Sequence, residues 1–281
     1  GSSKPNEEVF LIAHLCHPQP SANDNASGSG LLIEIARTIQ TLINSNRLAR
    51  PKRTIRFILV PETSGTVALL HDHQDLAGRL VAGINLDMVG QNQEVCRSTL
   101  RLDLTPDSLP SYLNDLLLTL MEDSAKEFDV QTDFGLSTTF RHGVIAHVGG
   151  SDHHEFVDST IGVPCVMLLQ WPDLFYHTSM DTIDKVSSDS LRRVGWITTV
   201  VALTLANATA EEAILLAQQT QTRGIARIQE AQREALQTIY DRRTSASTKA
   251  EQVKTLTKTY QYHESKIRHV VQREKHAVTS A

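Results

Sequence analysis

Val9-Phe10-Leu11-Ile12-Ala13-His14-Leu15-Cys16-His17-Pro18, followed after a short polar turn by Asn23-Asp24-Asn25-Ala26-Ser27-Gly28, is the stretch that decides how this chain folds. An apolar run without polar alternation, ending in His, Cys and Pro, predicts a strand over residues 9–15 that is buried on both faces. Its last residues then lie at a strand end, where open parallel sheets bind their ligands. His14, Cys16 and His17 bring nitrogen and sulfur donors to that place. Asp24 adds a carboxylate from a small-residue loop just ahead of a helix. Taken alone, Asp24 reads equally as a helix cap or as a metal ligand. Beside two histidines, ligation is the favoured reading.

The same pattern recurs along the chain. Leu31, Ile35, Ile39 and Leu42 stand at helical spacing within residues 27–42. Residues 53–60 form a second apolar run, stopped by Pro61. A helix opens at 66–70, and a third run at 81–86 leads into Asp87. Strand, helix, strand, helix, strand is the signature of an α/β fold, with a mostly parallel central sheet and helices on both faces. Further on, a helix is expected over 113–128, a Gly-, Thr- and His-rich stretch over 135–150, a buried strand over 164–169 and a long apolar helix over 188–208.

Chemistry-bearing side chains collect where these strands end. Glu62 emerges just after Phe57-Ile58-Leu59-Val60-Pro61, and desolvation there would raise its pKa and suit it to take a proton from water; its plainer reading is an ion pair with a loop Arg or Lys. Asp87 ends an apolar strand and reads as a ligand or as an acceptor for loop amides. His177, in Tyr176-His177-Thr178, follows the strand over 164–169, with Asp181 or Asp184 near enough in sequence to orient it. Asp152 and His153 form another pair. Twelve histidines in the chain, several beside Asp at strand ends, weaken the purely structural reading of each. A Gly-Xaa-Ser-Xaa-Gly elbow is absent, which counts against a serine hydrolase. Gly28-Ser29-Gly30 fails as a dinucleotide fingerprint because Ile33 takes the last glycine position.

Composition narrows the class. With 281 residues, 40% of them hydrophobic, the chain can build one substantial domain and a smaller appendage. A net charge of -5 and a pI near 6.2 give no reason to expect nucleic acid or an anionic membrane as partner. Three dispersed cysteines imply no disulfide framework, and no apolar run is long enough to span a bilayer, so a cytoplasmic setting is expected. Gly1-Ser2-Ser3 resembles the remnant of an expression tag, which leaves room for a missing amino-terminal segment. Residues 1–208 read as the catalytic domain and 209–281 as a helical extension. The extension is poor in Gly and Pro and is expected to form two helices broken near 244–247. Ile225, Ile228, Ala231, Leu236 and Ile239 stripe the first; Val253, Leu256, Tyr260, Ile267 and Val270 stripe the second. That pattern is a helical hairpin docked on the main domain or on a partner, and it allows a homo-oligomer. The extension turns basic after Lys249, but no aromatic stacking pattern accompanies the charge, so a solvated face is expected rather than a nucleic-acid surface.

With those residues in place, the chain resembles the zinc aminopeptidase family that includes bacterial leucyl aminopeptidases, glutamate carboxypeptidases and glutaminyl cyclases. It is most similar to a bacterial branch carrying Cys-His-Pro, Ala-Asn-Asp-Asn-Xaa-Ser-Gly and Pro-Glu-Thr motifs, and the likeness covers roughly residues 9–200. The resemblance implies a site for one or two zinc ions. Asp24 would bridge them, Asp87 would end the first site and His177 the second, and Glu62 would be the general base. Either His14, by its place, or His17, by the Cys-His-Pro motif, would be the first histidine ligand. Cys16 stands where the family has Asp. Thr63 replaces the second Glu of a pair, so the second zinc site loses a charged ligand. Asp152, His153 and Tyr176 would contact substrate. The implied activity is hydrolysis of an amide bond in a peptide or small amide by metal-activated water. Thr63 keeps open a single-zinc amide hydrolase or acyltransferase on the same fold, and the helical extension keeps open a scaffold that no longer turns over.

Overall fold

Phe10 shows how the core is assembled. It lies on β1 (Lys4–His14), the strand that carries the deciding stretch. Its neighbour across the parallel ladder to β3 (Leu80–Leu86) is Gly83, where an added Cβ would stand 2.0 Å from the Phe10 ring. The ring therefore fills the space of the missing side chain and meets Phe156 at a centroid distance of 4.3 Å. Ile12, Ile58, Leu70, Leu76 and Leu80 complete this cluster. Phe10→Ala is expected to destabilise the protein by about 3–5 kcal/mol, read as a lower denaturation midpoint at constant denaturant slope.

The computed structural model describes residues 1–281 apart from 134, 138 and 245–248, and leaves aside the side chains of 130–132, 136–137, 243–244 and 249–251. After β1 come α1 (Gly28–Asn44), β2 (Arg53–Val60), α2 (Ser64–Asp72), β3, a short α3 (Gln93–Cys96) and β4 (Thr99–Asp103). Then follow α4 (Tyr112–Phe128), the small hairpin β5 (Val130–Thr132) and β6 (Gly135–Ser137), β7 (His142–Ile145), α5 (His153–Val157), β8 (Cys165–Trp171) and α6 (Ser188–Asn207). The main sheet has six strands in the order β2-β1-β3-β8-β4-β7. β2, β1, β3 and β8 run parallel, and β4 is antiparallel to β8. Side chains alternate across a strand, so Phe10 and Ile12 face the cluster shared with α2 and α5. The opposite face of β1 is covered by α1 and α6. Because four strands share a direction, His14, Pro61, Asp87 and Trp171 all fall at one end of the sheet.

The sequence reading differs from this architecture at two places. β1 starts at Lys4 rather than at Val9, because polar residues pair along β2 as well: Glu8 is buried but bonded to Arg56, with Arg79 at 3.4 Å. β4 and β7 escape hydrophobic patterning because both are short, and β7, His-Gly-Val-Ile, pairs with β4 alone and is never fully buried.

Two compact units are present, Gly1–Leu109 with Leu116–Thr209, and Pro110–Asp115 with Ala210–Ala281. The second contains α7 (Ala210–Thr244) and α8 (Lys249–Thr279); the expected break over 244–247 falls largely outside the described residues. Within it, Arg227 bonds Asp115 at 2.7 Å and Glu274 at 2.5 Å. Burial alone would raise the Glu274 pKa, but the hydrogen bonds of Arg227 and Arg273 outweigh it and hold the carboxyl below its ordinary value. Among the described residues, no helix is long and apolar enough to cross a membrane.

Candidate metal centre

The loop that presents Asp24 is tied down by its neighbours. Asn25 Oδ1 accepts from the Gly28 and Met88 amides, both at 3.1 Å, and its Nδ2 donates to the Leu86 carbonyl at 2.9 Å. Ser27 Oγ donates to the Asn23 carbonyl at 2.7 Å and accepts from the Val89 amide at 3.1 Å. Ser29 Oγ donates to the His14 carbonyl at 2.8 Å. Gly28 cannot carry a side chain, since its Cβ would stand 2.3 Å from the Leu86 oxygen. The loop is thereby clamped to the ends of β1 and β3. Asp181 fixes it from the far side, accepting the Asn23 and Asp24 amides at 2.8 and 2.9 Å. Asn25 thus does the capping work, and the Asp24 carboxylate is turned instead toward imidazoles.

Five of the expected residues converge on one point. Asp24 Oδ1 lies 3.4 Å from His14 Nε2 and 3.5 Å from His17 Nε2, and Oδ2 lies 3.0 Å from His177 Nε2. His14 Nε2 also meets Asp87 Oδ1 at 3.2 Å. Two donor sets share Asp24: His14, Asp24 and Asp87, all buried, and His17, Asp24 and His177, of which His177 is half exposed; an overlapping group joins His14, Cys16, His17 and Glu62. Glu62 faces both sets, with its carboxylate 3.9 Å from His14 Nε2 and 3.7 Å from His17 Nε2, and no Arg or Lys pairs with it among the described residues. The structure thus brings both His14 and His17 to the cluster, where the sequence left a choice between them.

The electrostatics fit a cation in this place. Burial, reinforced by the like charge of Asp87, raises the Asp24 pKa to about 6 against the pull of three histidines. Burial works against a charged His14, yet the hydrogen bond and charge of Asp87, with Glu62 and Asp24, raise its pKa to about 10. Buried carboxylates crowded together in this way call for positive charge. Oxygen and imidazole donors 3.0–3.5 Å apart come close to the edges of a tetrahedral zinc site, about 3.3–3.6 Å for bonds of about 2.0–2.2 Å. Cys16 serves the other edge of His14: its Sγ lies 3.6 Å from Nδ1 and accepts the Glu62 amide at 3.4 Å. It can hold the ring's tautomer, the part usually taken by a carboxylate or carbonyl behind a ligating histidine.

The remaining expected residues are placed differently. Tyr176 stacks on His177 at a centroid distance of 3.7 Å and lines the cleft, a hollow of about 420 Å³ that Glu62, Asp87, Val148, Met167 and Trp171 also line. Asp152 and His153 are fully buried and do not reach the cleft surface. Asp152 Oδ1 accepts the Thr63 amide at 2.8 Å and the Thr66 hydroxyl at 2.6 Å, so it sets the turn that carries Glu62. His153 Nε2 bonds Asp103 at 3.2 Å. Asp103 also accepts the Val148 amide at 3.3 Å and lies 3.6 Å from His147, which steadies the 148–150 wall of the cleft. Asp181 holds the Asp24 loop and Asp184 bonds Lys185 and Thr182, so neither orients His177. Sequence reading passed over Asp103 because β4 itself was not recognised. Asn25 was visible in the motif, but nothing in the sequence shows that it rather than Asp24 caps the helix.

A parallel-strand sheet whose carboxyl ends gather imidazoles and carboxylates around one carboxylic base defines a metallohydrolase-like class of α/β proteins. The model of peptidase family M28 matches residues 1–202, and the chain belongs to that family. Aminopeptidase YwaD of Bacillus subtilis is 28% identical over 205 residues, 68% of this chain and 39% of its own length. A Clostridium acetobutylicum polysaccharide biosynthesis protein with an aminopeptidase-like domain is 25% identical over 187 residues, 66% of this chain and 37% of its own length. The chain therefore spans less than half of these curated relatives. A solved zinc aminopeptidase from Bacillus subtilis superposes with a TM-score of 0.57 at 24% identity, covering 74% of this chain and 48% of that one, which establishes the shared fold.

Proposed function

We propose that this chain carries the catalytic region of a zinc-dependent aminopeptidase, hydrolysing an amide bond in a peptide or small amide. The observation that carries the reading is the pair of donor sets sharing Asp24, with the Glu62 carboxylate facing both. Membership of the M28 family and the likeness to aminopeptidases support it. His14, Asp24 and Asp87 would hold one zinc ion, and Asp24 with His177 a second. Zinc bound there would lower the pKa of water and polarise the scissile carbonyl. Glu62 takes the proton from the attacking water and delivers it to the leaving amine. Burial, the largest influence on Glu62, raises its pKa against the pull of His14, which suits a base that must later act as an acid. Tyr176 and the 148–150 wall bound the space for the substrate, while Asp152 and His153 act through the residues they position.

Thr63 in place of a second glutamate favours one further reading, a single-zinc amide hydrolase or acyltransferase. Metal analysis of the zinc-reconstituted protein, with assays on aminoacyl and acyl amides, separates the two. Near two zinc ions per chain with aminoacyl hydrolysis is expected; a single ion with acyl transfer would favour the alternative, and no bound zinc would overturn both. The unpaired Cys16, Cys96 and Cys165 accord with a reducing, cytoplasmic setting. Exposed Leu236, Tyr240, Val253 and Tyr260 on the helical extension accord with a homo-oligomer through that surface.

A further inference from the structure

We infer that His17 replaces the missing carboxylate at the second zinc, so that this ion is held by Asp24, His17 and His177. The inference rests on the zinc-peptidase reading above and adds to it the ligand that Thr63 cannot supply. Thr63 is exposed, and its amide is engaged by Asp152. Its side chain does not line the cleft, whereas His17 does. The His17 ring stands between those of His14 and His177, at centroid distances of 5.0 and 4.9 Å. Its Nε2 lies 3.5 Å from Asp24 Oδ1, while His177 Nε2 lies 3.0 Å from Oδ2 of the same carboxylate. His17, Asp24 and His177 each offer a ligand atom within 4.8 Å of the others, close enough to converge on one ion.

Cys16 does not fill this role, because it meets His14 through Nδ1, on the ring edge away from Asp24 and Asp87. Glu62 is the other carboxylate within reach, and assigning it to the ion would leave the cleft without a base. His17 relieves it of that duty. Exchanging an anionic ligand for a neutral imidazole has two consequences. The second site carries less negative charge than the first, where Asp24 and Asp87 both serve. It also has two imidazoles and one oxygen donor, a set that suits zinc, nickel or copper and disfavours magnesium, calcium or manganese. His17 and His177 are the more exposed ligands, 21% and 50% at the side chain against 1% for His14, so the second ion exchanges with solvent first.

Calorimetric zinc titration and metal analysis of the intact chain test this. The wild type is expected to bind two zinc ions, the second more weakly. His17→Ala and the similar-sized His17→Gln should each keep the first ion and weaken the second at least about 100-fold, the upper range for losing even an outer partner of a zinc ligand. Retention of the first ion certifies the fold of each variant. Two ions bound with unchanged affinity by both His17 variants would overturn the inference and leave the zinc reading intact, as would a wild type that binds only one. A wild type that takes up no zinc would overturn the reading beneath it.

Discussion

Glu62→Gln is expected to lower kcat by about 10²–10⁴-fold, the usual contribution of a positioned general base, with zinc content unchanged. Glutamine keeps the length and shape of the side chain but cannot accept the proton of the attacking water. The neighbours of Glu62 are the His14 and His17 imidazoles rather than Arg or Lys, and imidazoles that bind zinc are neutral, so the amide strands no charged side chain in the zinc-loaded protein. Steady-state kinetics with metal analysis on the same preparation check the result. If zinc leaves with activity, Glu62 is a ligand and its role as base is lost.

The pH dependence follows from the same side chain. Burial raises the Glu62 pKa above the ordinary carboxylate value, while His14 pulls it down. If Glu62 is the proposed base it works only when ionised, so kcat/KM should fall on the acid side as Glu62 is protonated. The acid limb of the wild-type profile should therefore track protonation of Glu62, with bound zinc pulling it below its position in the metal-free protein. It should disappear in Glu62→Gln, leaving a low and flat acid side.

Much of this was legible in the sequence because the sheet's buried strands are apolar on both faces. Phe10 to Ala13, Ile84 to Leu86 and Val166 to Leu169 are all buried, and such runs announce both the strand and its end. A residue immediately after such a run is placed in the ligand crevice by topology, which is how Asp87 could be named without coordinates. What escaped depends on long-range pairing. β4 and β7 are short, and only long-range pairing makes them strands, β4 against β8 and β7 against β4. His14 and His17 appeared to compete for one place because sequence carries no direction for a side chain after a strand ends. Asp152 and His153 look like site residues beside one another in sequence but do not line the cleft, being bonded to Thr63, Thr66 and Asp103. Motif proximity gives membership of a site; only geometry separates what touches the substrate from what holds the frame.

Asp24→Asn should show how far the frame and the chemistry pull against each other. Asp24 is the carboxylate common to both donor sets, so its neutral counterpart should release both zinc ions and lower activity by about 10⁴-fold or more, several kcal/mol of lost charge stabilisation. The metal-free proteins should behave in the opposite sense. Burial and the charge of Asp87 raise the folded-state pKa of Asp24 from 3.8 to about 6. A carboxyl whose folded pKa is raised stabilises the fold only while protonated, and that stability is lost as pH rises from the unfolded value through about 6. At pH above 6 the metal-free wild type therefore holds a disfavoured anion that asparagine removes. Metal-free Asp24→Asn is expected to melt higher than the metal-free wild type there, and equally or lower near pH 4, where the wild-type carboxyl is protonated. Added zinc reverses the order, since ligand at about 100 times its Kd contributes about 2.7 kcal/mol to a protein that binds it and nothing to one that does not. Thermal melts at two pH values, with and without zinc, read all four terms. A metal-free variant that melts lower than the wild type at the higher pH would mean that Asp24 is held by the protein's own donors, and that the loop was not built around a cation.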